Sequence, residues 1–115
     1  MTALLFITTS DLFSQAQASR LEDLYRSHEP RINAAAIVLE PPKNIELVHA
    51  FVEVLKLTYP VGIADQNELS HQGLLGEVQK VPAWLILDRQ GRVSASGVGS
   101  FSLGELEQAI TRAED

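Results

Sequence analysis

The side chains that could do chemistry in this 115-residue sequence are few and scattered. His28, His49 and His71 show none of the spacings at which side chains share one zinc ion. Glu22 and Asp23 are adjacent on a predicted helix, so their carboxylates should point apart and lie on the solvated surface. These residues predict neither a metal centre nor a catalytic carboxylate pair, and we expect no cofactor.

Nucleophiles are equally sparse. The sequence contains no cysteine, which excludes thiol nucleophiles, disulfides and thiolate zinc sites within these residues. Ser14 has no His or Lys at helical spacing to activate its hydroxyl, although a base from elsewhere in the fold stays an alternative. The glycine segments at residues 73–76 and 97–99 lack the spacing of a phosphate-binding loop.

The composition predicts one globular domain over residues 1–115, with 45% hydrophobic residues to form a core. A net charge of −6 with nine scattered Lys and Arg argues against nucleic acid and against anionic membrane surfaces as partners. No segment approaches the roughly 20 apolar residues of a membrane span. No signal peptide is visible, so we expect a cytoplasmic protein, or a periplasmic one if a signal has been trimmed.

The first half of the sequence alternates strand and helix signals. Residues 4–7 predict a buried strand, and Ser10 or Asp11 can cap the helix that follows and ends at Pro30. Residues 34–39 predict a second strand, and Asn44 is expected to cap a second helix. The predicted buried face of the first helix comprises Phe13, Ala16, Leu21, Leu24, Tyr25 and His28, and that of the second comprises Ile45, Val48, Phe51, Val52 and Leu55.

The second half predicts a hairpin and a final helix. A short β-like segment at residues 59–63 precedes a polar excursion, with one or two helical turns expected at residues 68–75. Strands at residues 83–87 and 93–98 flank a turn signal at residues 88–91. Ser102 and Glu105 predict a capping box before the last helix. The order β-α-β-α-β-β-α predicts an α/β fold with parallel first strands, an antiparallel hairpin and helices on both faces.

This order, and the residues at 50–93, resemble the thioredoxin-like proteins of the bacterial TlpA/ResA type. The segment LTYPV at residues 57–61 and the pattern Val81-Pro82, Asp88, Gly91 and Val93 match that family in register, and residues 20–25 resemble its first helix. The resemblance covers nearly the whole chain. It implies a thioredoxin fold with a central mixed sheet of four to five strands.

The same alignment places the family's C-x-x-C motif on residues 11–14. Asp11 stands at the position of the nucleophilic cysteine and Ser14 at that of the resolving cysteine. Thiol–disulfide exchange needs a thiolate that attacks sulfur and a second thiol that resolves the mixed disulfide. Neither a carboxylate nor a hydroxyl does this, so the resemblance implies a redox-inactive member that is not an enzyme. Asp11 can equally be a plain helix cap.

The proline before the hairpin is the other feature that the resemblance carries over. In the family this proline is cis and lies against the active-site loop, where the backbone can pair with an extended peptide. Pro82 can serve this role or merely shape the fold. Trp84, the only tryptophan, suits the core better than a contact surface.

We therefore expect a protein-binding or assembly module whose partner is a protein or an extended peptide. The candidate binding residues are Ser10, Asp11, Leu12, Phe13 and Ser14, together with Lys80, Val81, Pro82 and Ala83. One alternative is a structural subunit that forms a homodimer through a helix face or the strand at residues 93–98. A less favoured one is a non-redox enzyme using Asp11 or Ser14.

Overall fold

The computed structural model describes residues 1–28, 32–64, 82–99 and 101–114. Five strands and three α-helices lie within them, and a single 3₁₀ turn at Pro42–Asn44 leads into the second helix. The elements are β1 (Thr2–Ile7), α1 (Leu12–His28), β2 (Asn33–Leu39), α2 (Ile45–Leu55), β3 (Val61–Ala64), β4 (Ala83–Leu87), β5 (Val93–Val98) and α3 (Leu103–Glu114). The helical turns expected at residues 68–75 lie outside the described residues.

The five strands form one mixed sheet in the order β3-β2-β1-β4-β5. β1 pairs in parallel with β2, and β2 pairs in parallel with β3. β4 runs antiparallel to both β1 and β5. The predicted parallel first strands and antiparallel hairpin are therefore confirmed, and the central strand is β1.

Alternate residues of the strands feed two apolar clusters. The larger cluster takes Leu5 and Ile7 from β1 and Trp84 from β4, and all three helices pack in it. The smaller cluster is centred on Phe6 of β1, with Leu39 and Ala83 beside it. Burial of β1 on both faces explains its continuous apolar sequence, which a half-exposed strand would not need.

The predicted turn and capping signals are confirmed by hydrogen bonds. Gly91 adopts a positive φ of 81° in the β4–β5 turn, where the Gly91 amide donates to the Asp88 carbonyl at 3.1 Å. At the start of α3, the Ser102 amide donates to the Glu105 carboxylate at 3.1 Å and the Glu105 amide donates to the Ser102 hydroxyl at 3.2 Å. This reciprocal pair is a capping box.

Three details of the predicted helices are wrong, and one of them is Ile45, which is predicted on the buried face of α2 but is 37% exposed at the start of that helix. Phe13 and Ala16 are exposed, and the buried face of α1 is continued toward its start by Gln17 and Ser14 instead. Polar residues can take these positions because hydrogen bonds satisfy them there. Asn44 precedes α2 but makes no capping bond; its side-chain amide donates to the Glu40 carboxylate at 2.9 Å.

Gln17 links three separate parts of the chain inside the larger cluster. Its side-chain oxygen accepts the indole N–H of Trp84 at 2.9 Å and the amide of Phe101 at 3.1 Å. Gln17 and Trp84 are both buried, so the predicted core position of Trp84 is confirmed. This acceptor, shared by the buried indole of Trp84 and the partly buried amide of Phe101, holds α1 against β4 and the segment that precedes α3.

We predict that Gln17→Leu lowers the free energy of unfolding by about 2 to 4 kcal/mol, because two donors lose their acceptor inside the core. Urea unfolding followed by Trp84 fluorescence measures the change. Gln108→Leu is the control, since Gln108 is exposed on α3 and its replacement should change the free energy by less than about 0.5 kcal/mol. Equal effects of the two substitutions would contradict the prediction.

Candidate functional site

The candidate site lies at the sheet edge where β1 and β2 end. Because the two strands are parallel, the turn that leaves β1 and Glu40 that follows β2 emerge at the same edge. β4 runs the other way, and its first residue, Ala83, pairs with Phe6 near the end of β1. The topology therefore brings residues 10–14 and Pro82 to one edge of the sheet.

Asp11 and Ser14 are joined by a hydrogen bond in the first turn of α1. The Ser14 hydroxyl donates to Asp11 Oδ2 at 3.0 Å, and the amide of Phe13 donates to Asp11 Oδ1 at 3.2 Å. The Ser14 oxygen also accepts the Thr8 amide at 3.3 Å. Asp11 is thus the N-cap of α1, as predicted, and its negative charge suits the positive end of the helix dipole.

Glu40 ties the same turn to α2. Its carboxylate accepts the Thr9 amide at 2.7 Å and the Asn44 side-chain amide at 2.9 Å. Burial raises the pKa of Glu40, but the hydrogen bonds from Thr9 and Asn44 lower it by more. The pKa of Glu40 therefore lies below its ordinary value. Sequence reasoning missed this residue, whose only signal is an acidic side chain directly after a buried strand.

The exposed part of the site is apolar. Leu12 is 77% exposed and Phe13 is 65% exposed, at the two positions between Asp11 and Ser14. Ser10 is exposed too, whereas Ser14 is fully buried. A partner at this turn would therefore meet Leu12 and Phe13 first, and the hydroxyl of Ser14 is occupied by its two hydrogen bonds.

The residues at the start of the hairpin are buried at the same edge of the sheet as the site. Pro82 and Ala83 are buried, and the Pro82 carbonyl accepts the Gly99 amide at 2.7 Å. Lys80 and Val81, the other two predicted contact residues, lie outside the described residues. Among the residues that the structure does describe, Pro82 and Ala83 shape the sheet edge and offer no large contact surface.

Glu22 contradicts the prediction that it is a solvated surface residue. It is 6% exposed, and its carboxylate accepts the amide and the hydroxyl of Thr58, each at 2.6 Å, and Arg26 Nε at 2.6 Å. Burial raises the pKa of Glu22, but the hydrogen bonds from Thr58 and Arg26 outweigh it and hold the pKa below its ordinary value. Glu22 therefore fixes the middle of α1 to the segment between α2 and β3.

Tyr59 strengthens the same attachment. Its hydroxyl donates to the Ala18 carbonyl at 2.8 Å, and its ring meets that of Tyr25 edge to face at 6.4 Å. Burial, and then the nearby Glu22 carboxylate, raise the pKa of Tyr59, so the hydroxyl stays a donor. The contacts of Glu22 and Tyr59 therefore fix the middle of α1, whose first turn carries the candidate site.

Comparison with solved structures identifies the fold. The chain superposes on StoA from Bacillus subtilis with a TM-score of 0.76 at 18% identity, covering 95% of this chain and 81% of that one. A putative thiol:disulfide interchange protein DsbE from Chlorobium tepidum gives a TM-score of 0.81 at 16% identity, with coverage of 97% and 78%. A secreted disulfide oxidoreductase from Mycobacterium tuberculosis gives 0.77 at 17% identity, with coverage of 96% and 79%.

These similarities confirm a thioredoxin-like fold, with the mixed sheet and flanking helices that the sequence predicts. Neither a protein-family model nor a curated protein sequence matches the chain. All three structures are of bacterial proteins, and two of them are named as a thiol:disulfide interchange protein and a disulfide oxidoreductase. This chain has their fold without any cysteine, so its residues supply no thiol for that reaction.

Two further properties bear on function. Within the described residues, no three His, Asp or Glu side chains are grouped closely enough to hold a metal ion. None of the described helices is long and apolar enough to cross a membrane.

We predict that Asp11→Cys combined with Ser14→Cys forms an internal disulfide on mild oxidation, because the two side chains already meet at hydrogen-bond distance. Intact mass spectrometry before and after oxidation, with thiol alkylation, measures the bond. The control pair is Leu12→Cys with Ser14→Cys, whose side chains point to different sides of the helix. Preferential bonding in the control pair would show that residues 11–14 do not take the place of a C-x-x-C motif.

We also predict that Glu22 makes stability depend on pH. Its folded pKa lies below the unfolded value near 4.5, so the unfolded state binds more protons there and the stabilisation is lost as the pH falls below that value. Glu22→Gln should cost about 1 to 3 kcal/mol at pH 7, and the difference from wild type should shrink in acid. Urea unfolding between pH 7 and pH 3 tests this. Asp23→Asn, an exposed neighbour, should follow the wild type.

Proposed function

We propose that this thioredoxin-like domain is a non-catalytic protein-binding module that contacts its partner through the start of α1. The single observation that carries the proposal is the exposure of Leu12 and Phe13 at the turn where enzymes of this fold carry their reactive cysteines. Large apolar side chains are costly to leave in water, and adjacent ones on a surface mark sites of protein interaction.

Hydrogen bonds also fix the conformation of this turn. Asp11 and Ser14 hold it from within, while Glu40 accepts the Thr9 amide from the side. A preorganised contact surface loses less conformational entropy on association than a loop that must order first. The partner class that suits this surface is a protein or an extended peptide with apolar side chains to cover Leu12 and Phe13.

Catalysis by Asp11 or Ser14 is less well supported. The Ser14 hydroxyl is buried and donates to a carboxylate, and no described histidine or lysine bonds to it. A serine nucleophile needs a base that can take its proton and a path for the substrate. The hydrogen bonds at Asp11 and Ser14 instead serve the shape of the turn.

A self-associating structural subunit is the second candidate, favoured by one specific feature. β5 is one of the two edge strands of the described sheet, carries no charged residue, and exposes Val93 and Val98. Natural edge strands usually carry charges, prolines or irregularities that prevent pairing with another chain. β5 has an irregularity only at its start, where the pairing with β4 shifts between Ile86 and Leu87.

We predict that the wild-type chain captures a specific partner from an extract of its source cells, and that Leu12→Ser with Phe13→Ser loses this partner. The two side chains supply the apolar contact area, so binding should weaken by at least about tenfold. Quantitative mass spectrometry of the captured proteins measures the loss.

The control is Val93→Ser with Val98→Ser, which removes two similarly exposed apolar side chains from β5. It should keep the partner. Loss of the partner only in this control, or the absence of any captured protein with all variants folded, would contradict the proposed function. Sedimentation of the same samples tests the self-associating alternative, which predicts a mass that rises with concentration.

A further inference from the structure

A groove beside the start of α1 extends the exposed apolar surface. It has a volume of about 360 Å³ and lies between the β1–α1 turn and α2. One wall is formed by Thr9, Ser10 and Gln15, and the other by α2 residues Leu47, Ala50, Phe51, Val54 and Leu55. Ser10 belongs both to the groove and to the proposed contact residues, so the two surfaces are continuous.

α2 has more apolar side chains than are buried in the described structure. Of its 11 residues, only Glu46, His49 and Glu53 are not apolar. Val48 and Phe51 are buried against the sheet, but Leu47 is 56% exposed and Val54 is 76% exposed. A helix that is apolar around most of its surface is normally covered on more than one side. The exposed apolar face comprises Leu47, Ala50 and Val54. From Leu47 to Val54 it extends over two helical turns, about 10 Å along the helix axis.

No charged residue of the described chain lines the groove itself, and the charged residues within α2 are both negative. Glu46 and Glu53 are exposed, seven residues apart like Leu47 and Val54, so they form a row that flanks the apolar face. Asp11 lies next to the opposite wall, and Glu40 bridges the two walls at one end through Thr9 and Asn44. The lysines that adjoin α2 in the described chain, Lys43 and Lys56, lie beyond its two ends.

From these observations we infer that the groove binds an amphipathic helical segment of the partner, with an apolar face and basic flanking residues. A groove lined by residues at i, i+3 and i+7 matches an apolar helix face of the same spacing. The acidic row disfavours a second copy of this chain, because the same carboxylates would then face each other. This inference rests on the proposed function and specifies the class of partner at that site.

Selection from a displayed library of random 16-residue peptides against the immobilised wild-type chain tests the inference. Enriched peptides should carry apolar residues at i, i+3 or i+4, and i+7, together with a net positive charge. Fluorescence anisotropy of the synthesised peptides then measures their affinity. Leu47→Glu with Val54→Glu should weaken binding by at least about tenfold. Glu46→Gln with Glu53→Gln should weaken it less and reduce its dependence on salt.

Val93→Glu with Val98→Glu is the matched control, since it adds the same charges to exposed valines on β5. It should bind the peptides as the wild type does, and circular dichroism verifies that each variant is folded. Enriched peptides that are acidic or lack the apolar spacing, no enrichment at all, or binding that is lost only in the β5 variant would overturn the inference. These results are separate from the capture experiment, in which a partner that needs Leu12 and Phe13 supports the proposed function even if the α2 substitutions do not affect it.

Discussion

The parallel pairing of β1 with β2 is the constraint on which the rest of this structure depends. It sends the β1–α1 turn and Glu40 out at the same edge of the sheet, and the second pairing of β1, with β4, makes β1 the central strand. The hydrogen bond from the Thr9 amide to Glu40 then joins the ends of the two strands. β4 starts beside the end of β1, which places Pro82 at this edge too. The candidate site is thus a product of the strand order before any of its side chains is considered.

Much of this arrangement could be predicted from the sequence because its signals are local. The apolar runs of β1 and β4, the Asp88–Gly91 turn and the Ser102–Glu105 capping box each depend on residues close together in the chain. The cap of α1 is local too: the sequence offers Ser10 or Asp11, and the structure gives Asp11, whose bond to the Phe13 amide spans two residues. Apolar periodicity predicts the three helices that the structure describes, and the helical turns predicted at residues 68–75 lie outside the described residues.

The errors concern polar residues whose partners are distant in the sequence. Gln17 bonds to the Phe101 amide, 84 residues away, and Glu22 bonds to Thr58, 36 residues away. No residue near Gln17 or Glu22 in the sequence indicates that an acceptor is needed in the core. Apolar spacing therefore leaves Gln17 out of the predicted buried face, and the adjacent pair of Glu22 and Asp23 predicts a surface position for Glu22. The same reading placed Phe13 inside, because an aromatic residue at helical spacing is usually buried. Exposed Leu12 and Phe13 therefore become informative only once the fold is known.

The Asp11–Ser14 hydrogen bond joins the two positions that the family resemblance aligns with a C-x-x-C motif, and its chemistry has a consequence for the surroundings in which the surface can work. A dithiol changes between a bonded and an open form according to the glutathione and oxidant around it. A hydrogen bond between a carboxylate and a hydroxyl exchanges no electrons, so it has no reduction potential and no second form to populate. The hydrogen bonds of this turn therefore do not depend on whether the surroundings are reducing or oxidising, and neither does the exposure of Leu12 and Phe13 that goes with them.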